Sequence, residues 1–232
     1  MMLKESKFQT HRGNLSEGAM ENTLEALETA KRHGSQMVEF DVRLTRDFVP
    51  VLYHDSNLKR LHKAQVEVKN LTLQQMRIFA PNVASFEEVL KSHKVPSRLN
   101  VELKTDSTMD PALEIQVTKL IKKFQAAPRV VLSSFNPFSL MRARGLAPEI
   151  ARALLVTEAD EKKNYWFLKQ MSLLPMCDAQ FLHWDQKMCT RARIEKFLNH
   201  GYQLAAYTVN DRARANELFN LGISSIISDV LL

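Results

Sequence analysis

Residues 38–54 read VEFDVRLTRDFVPVLYH. Two β-prone runs, 38–44 and 50–54, lie here with only a few residues between them, Arg46, Asp47, Phe48 and Val49 among them. Parallel neighbours need a crossover of about a dozen residues or more, so this connection can only fold the second run back on the first as a hairpin arm. If the first run climbs past a sheet rim, the returning arm brings His54 back to that rim.

The same reading organises the rest of the chain. Seven more β-prone runs stand at 8–11, 99–104, 130–135, 151–156, 179–183, 204–209 and 224–228. Helical patterns alternate with them. Asn22 stands three residues before Glu25 as a helix cap, with Leu24, Leu27 and Ala30 as the inner stripe and Gly34 as the stop. Asp110 and Pro111 open a second helix whose Leu113, Val117, Leu120, Ile121 and Phe124 face inward. Residues 190–201 and 211–222 repeat the pattern. Strand–helix alternation implies a parallel sheet. Once the hairpin arm is set aside, eight strands remain, and the expected fold is a (β/α)8 TIM barrel with a short β-hairpin after strand two. Residues 1–232 are expected to form one domain, since no linker or low-complexity segment interrupts the alternation.

Composition narrows the function classes. Apolar residues make up 45% and charged residues 25%, the profile of a globular domain. A net charge of +6 suits capture of an anionic ligand, but the basic residues are scattered and form no nucleic-acid motif. Two cysteines, Cys177 and Cys189, build no disulfide framework. No apolar run is long enough for a membrane anchor. These features predict a cytoplasmic enzyme; the oligomeric state, a homodimer included, is left open.

In a TIM barrel the chemistry sits at the C-terminal ends of the strands. His11 and Arg12 end strand one, Glu39 and Asp41 lie on strand two, His54 ends the hairpin arm, and Glu102 and Lys104 end strand three. Residues two apart on a strand share a face, so Glu39 and Asp41 point into the mouth while Val38, Phe40 and Val42 face the helices. Adjacent carboxylates repel unless protonated or bridged by a cation, and Glu102 completes an oxygen cluster suited to Mg²⁺ or Ca²⁺. Arg12 and Lys104 are suited to an anion. His11 and His54 titrate near neutrality and can move protons. Phe135 and Tyr207, at strand ends, can form an aromatic wall or else pack into the core, and His183 and Trp184, at another strand end, can line the mouth. Glu21 either buttresses Arg12 or caps the following helix. The remaining histidines, His33, His62, His93 and His200, are expected in solvent.

HRG at 11–13, ENTLEAL at 21–27, EFDVRLTRDFVPVLYHD at 39–55, VELK at 101–104, AAYTVND at 205–211 and GISSIISD at 222–229 together resemble the glycerophosphodiester phosphodiesterase family. The resemblance implies hydrolysis of a small glycerophosphodiester, such as glycerophosphocholine or glycerophosphoethanolamine, to sn-glycerol 3-phosphate and an alcohol. It implies Glu39, Asp41 and Glu102 as ligands of the divalent cation. It also implies His11 and His54 as the proton-transfer pair, His11 as base and His54 as acid. The segment after His54 and Asp55 departs from the family pattern as an abbreviated insertion, which predicts a less covered mouth on that side and weak selection of the alcohol. Tyr207 stands where a tryptophan is common. A related phospholipase acting on lysophospholipid or phosphoinositide is the near alternative. A catalytically silent anion-binding barrel is the other.

Overall fold

A computed structural model describes residues 5–105, 107, 109–158 and 174–231. Strands Phe8–His11 (β1), Met37–Leu44 (β2), Pro50–Leu52 (β3), Arg98–Leu103 (β4), Val130–Ser134 (β5), Ala151–Val156 (β6), Phe181–Asp185 (β7), Gln203–Tyr207 (β8) and Ser225–Ser228 (β9) form one sheet. Its order is β1-β9-β8-β7-β6-β5-β4-β2-β3, and β1 also pairs with β2, which closes an eight-stranded parallel barrel. The remaining strand, β3, pairs among the described strands with β2, antiparallel, with Val42 opposite Leu52 and Leu44 opposite Pro50. The hairpin reading of residues 38–54 is therefore the observed one. Phe48 sits at its tip with φ of 60°.

Alternation along each strand separates outer packing from inner chemistry. Val38, Phe40 and Val42 of β2 are buried with Leu99, Val101 and Leu103 of β4 beneath Leu27, Phe86, Val117 and Ile121 from surrounding helices. Each such side chain contributes about 1.5–3 kcal/mol on burial. A second apolar shell covers β6 to β9 through Leu154, Leu182, Leu204 and Ile226, packed with Leu140, Ile194 and Leu218. Inside the barrel, Met37, Val131, Ala153 and Phe181 form an apolar floor. Above it lies a buried polar layer: Gln9 donates to Ser225 (2.9 Å), Asn100 donates to Gln9 (3.1 Å) and Ser133 donates to Asn100 (2.8 Å). Burying these groups is tolerable because each meets a partner.

Three strands differ from the sequence reading by two residues at an end: β3 stops at Leu52 rather than His54, so His54 lies two residues past it, and β7 and β8 are the others. β7 starts at Phe181 rather than Ala179. The buried Arg152 side chain draws in the carbonyls of Cys177 (3.2 Å) and Asp178 (3.0 Å), and Asp178 adopts φ of 46°, so the chain turns there before extending. β8 stops at Tyr207 rather than Val209, since Val209 N–H instead donates to Ile227 (3.0 Å). After β3, the excursion builds a small core of its own from Val51, Tyr53, Leu58, Val68, Leu71, Met76 and Val83. Among the described residues, no helix is long and apolar enough to cross a membrane.

Candidate active site

Immediately after β1 the chain makes a tight turn. Arg12 takes φ of 57° and Gly13 φ of 93°, and a Cβ on Gly13 would lie 2.6 Å from the Ala26 Cβ. Only glycine fits so close to another backbone. The turn aims the Arg12 N–H at Glu39 Oε2 (3.1 Å) and its guanidinium at Glu21 (3.1 Å) and Asp41 (3.4 Å).

Glu39, Asp41 and Glu102 come together as expected. Each offers an oxygen to a group whose members lie within 4.8 Å of one another, and all three are buried. Lys104 reaches Glu102 (2.7 Å) and Asp41 (3.2 Å). Burial, then the neighbouring charges of Asp41 and Glu102, push Glu39 up to about 8. Burial opposes ionisation of Asp41 too, yet Lys104, His54, Arg12 and the Asn22 amide hold it well below the usual carboxylate range. Burial also raises Glu102, against the pull of Lys104. The cluster thus holds more carboxylate than its cationic neighbours neutralise. A hard divalent cation fits such an oxygen-only donor set and would relieve the excess.

Both expected histidines reach this mouth. His11 Nδ1 donates to Asp229 Oδ1 (2.6 Å), since a carboxylate can only accept, and its Nε2 lies 3.9 Å from Glu39 Oε2. His54 Nδ1 donates in the same way to Asp55 (2.7 Å). In each ring Nε2 is the nitrogen turned to other work. Burial depresses the His11 pKa, but the Asp229 hydrogen bond and the Glu39 charge more than offset it, and the net direction is up. For His54 burial wins, and the pKa falls.

Phe135 and Tyr207 meet edge to face with centroids 6.0 Å apart, and Lys104 Nζ lies 5.8 Å from the Phe135 ring. The Tyr207 hydroxyl donates to the Val156 carbonyl (2.8 Å). Glu21 takes the buttressing place, paired with Arg12 and also with Arg60 (2.5 Å). Neither His183 nor Trp184 lines the mouth. Because β7 runs on to Asp185, His183 is a mid-strand residue, buried and bonded to Glu5 (2.7 Å), while Trp184 faces outward onto Phe197 at 5.1 Å. His62 is not fully in solvent either: its ring stacks on Tyr53 at 6.1 Å.

Sequence reasoning missed several close partners, Asp55 and Arg60 among them. Asn22 is not the helix cap; Thr23 is, and its hydroxyl accepts from Ala26 N–H (3.2 Å). Asn22, at φ of 57°, instead donates its amide to Asp41 Oδ2 (2.8 Å) and accepts from the Asp41 N–H (2.9 Å). Asp229 was the end of a motif without a role, and it proves to hold His11 while accepting from Asn210 (2.8 Å).

The sequence profile of the Glycerophosphoryl diester phosphodiesterase family matches residues 11–231. The chain belongs to this family. It is 25% identical to the glycerophosphodiester phosphodiesterase of Caldanaerobacter subterraneus subsp. tengcongensis, over 94% of this chain and 92% of that protein. It is 27% identical to that of Bacillus altitudinis, over 97% of this chain and 94% of the relative. Among solved structures, an Oleispira antarctica phosphodiesterase in complex with the product sn-glycerol-3-phosphate is similar with a TM-score of 0.80 and 27% identity, covering 97% of this chain and 93% of that one. As a family member the chain is an enzyme, a phosphodiesterase acting on small glycerophosphodiesters. The family binds a divalent cation, and Glu39, Asp41 and Glu102 are the buried acidic cluster that could hold one.

Proposed function

We propose that the chain hydrolyses glycerophosphodiesters such as glycerophosphocholine and glycerophosphoethanolamine to sn-glycerol 3-phosphate and the free alcohol. The cation would be Mg²⁺ or Ca²⁺ on Glu39, Asp41 and Glu102, and His11 and His54 would transfer the protons. One observation carries this reading. Two imidazoles, each with Nδ1 tied to a carboxylate, flank a buried three-carboxylate cluster at one barrel mouth.

A phosphodiester resists cleavage because its charge repels a nucleophile and its alkoxide leaves poorly. Arg12 and Lys104, both within ion-pair reach of Asp41, would bind the non-bridging oxygens as charge builds on them. When bound, the cation offsets further charge on those oxygens and favours the neutral form of the adjacent His11. His11 then accepts the nucleophile's proton through Nε2, with the imidazolium steadied by Asp229. Asp55 holds His54 through Nδ1; the anionic substrate favours the imidazolium, which carries a second proton on Nε2 and gives it to the leaving alcohol, returning to the neutral ring. Phe135 and Tyr207 form the wall against the glycerol carbons.

The test is release of glycerol 3-phosphate from glycerophosphocholine, read by a coupled dehydrogenase. EDTA should abolish it, and Mg²⁺ or Ca²⁺ should restore it. His54→Ala should lower kcat by about a hundredfold or more, with recovery on a substrate whose leaving group needs no proton. Full activity in EDTA would overturn the cation assignment. Equal loss with every leaving group would overturn His54 as the donor.

A further inference from the structure

Beside His54 an open groove of about 780 Å³ runs along the excursion that follows β3. Arg43, Asp55, Lys59, Arg60 and Lys63 line it together with His54. Its charges are unevenly satisfied. Arg60 is neutralised by Asp55 (2.6 Å) and Glu21 (2.5 Å). Lys59 and Lys63 have no carboxylate partner among the described residues; Lys63 Nζ reaches only the Arg60 carbonyl, at 3.4 Å. The two lysines stand one turn apart, because the short helix Lys59–His62 ends where Lys63 takes φ of 57° and its N–H donates to the Lys59 carbonyl. Two exposed ammonium groups therefore face the same hollow, and that hollow shares His54 with the reaction site.

We propose that this groove receives the alcohol half of the substrate and selects alcohols that carry a second phosphate. The inference rests on the reading of His54 as proton donor to the leaving oxygen, since the alcohol must then lie on the His54 side of the phosphodiester. A phosphate monoester carries about −1.5 to −2 charge at neutral pH, which two lysines match. The cationic choline group meets repulsion in the same place. The shallow, open walls select by charge rather than by shape, so neutral alcohols differ little from one another.

Glycerophosphoinositol and glycerophosphoinositol 4-phosphate share a ring and differ by one phosphate, so their comparison isolates the charge. With the cation-loaded enzyme at ~0.05 M salt, kcat/KM should favour the phosphorylated substrate by about tenfold, the scale of two exposed ion pairs. At ~0.5 M salt the preference should shrink to about twofold, because the screening length has fallen to a few ångströms. Lys59→Glu/Lys63→Glu should remove or reverse the preference, and Lys59→Gln alone should halve it or more. Equal kcat/KM for the two substrates at both salt concentrations overturns the proposal and leaves the phosphodiesterase reading intact. A preference that survives both sets of substitutions also overturns it. Release of glycerol 3-phosphate from neither substrate overturns the proposal; if glycerophosphocholine also goes uncleaved under the same conditions, the phosphodiesterase reading falls with it.

Discussion

His11 Nδ1 and Asp229 Oδ1 lie 2.6 Å apart although 218 positions separate them in the chain. The pair spans the seam where β1 meets β9, with Phe8 opposite Ile226 and Thr10 opposite Ser228. It leaves the His11 ring one usable nitrogen and fixes where that nitrogen points. Asp229→Asn keeps an acceptor but removes the charge that steadies the imidazolium. The expected outcome is a fall in kcat of about tenfold or more with KM nearly unchanged, since the effect belongs to the transition state. Steady-state kinetics, with an unaltered melting temperature as control, check it.

Asn22 holds Asp41 by two hydrogen bonds, one to its carboxylate and one from its backbone. Partners that orient ligands in this way are worth about 10- to 100-fold in metal affinity. Asn22→Ala should weaken Mg²⁺ binding on that scale, measured by calorimetric titration, and lower activity at limiting cation while saturating cation recovers part of it. Unchanged affinity would remove Asn22 from the account of the site.

Gly13→Ala should destabilise the whole protein. The new Cβ would meet Ala26 Cβ at 2.6 Å and the Ala26 backbone carbon at 2.7 Å, with φ at 93°. Crowding of this kind costs about 1–3 kcal/mol, before the strain of positive φ is added. A drop in melting temperature of at least about 5 °C is expected. Any protein that folds should also lose activity, because the same turn aims Arg12.

Glu88 gives a pH-dependent prediction away from the mouth. Its carboxylate accepts from the Ser85 N–H (2.7 Å), the Ser85 hydroxyl (2.7 Å) and Arg77 (2.8 Å), closing a capping box on the helix Phe86–Lys91. Partial burial works against the charge, but these partners outweigh it and lower the pKa. A depressed folded-state pKa contributes stability that is present above the unfolded value of about 4.3 and is lost as pH falls through the folded value. Glu88→Gln should therefore melt below the wild type at pH 7, with the gap closing as pH drops below about 4. Thermal melts of both proteins across that range test the sign.

The residues that were readable in sequence are those whose position follows from local rules. Glu39 and Asp41 share a face because strand alternation requires it, and His54 returns to the rim because four residues cannot cross a barrel. Asn22 could not be read the same way. Asparagine and threonine are both good helix caps, and only the positive φ at Asn22 moves the cap to Thr23 and frees the amide for Asp41. Asp229 was hidden for another reason: its contact exists only once the first and last strands close the barrel. His183 was misplaced because the two residues taken up by the turn around Arg152 shift β7 along the chain, moving a presumed strand end into the interior. Arg60 lies in an excursion without any period to place it, so its bridge between Glu21 and Asp55 had no signal.

The two apolar shells, one over β2 to β5 and one over β6 to β9, make the barrel chemically lopsided. Of the charged groups described around the carboxylates, Asp229 comes from the second shell's side, and the others sit on β1, β2 or β4, in the loop after β1, just past β4, or in the excursion. Tolerance to change should follow that division. Divergence among relatives can accumulate along β6 to β8 as volume-conserving exchanges, altering the Tyr207 half of the aromatic wall while leaving the charge balance of the mouth untouched. On the opposite side, almost any exchange at the mouth disturbs a network in which each ion answers to two or three others. The first shell should accordingly change slowly and in concert, and the second quickly and piecemeal.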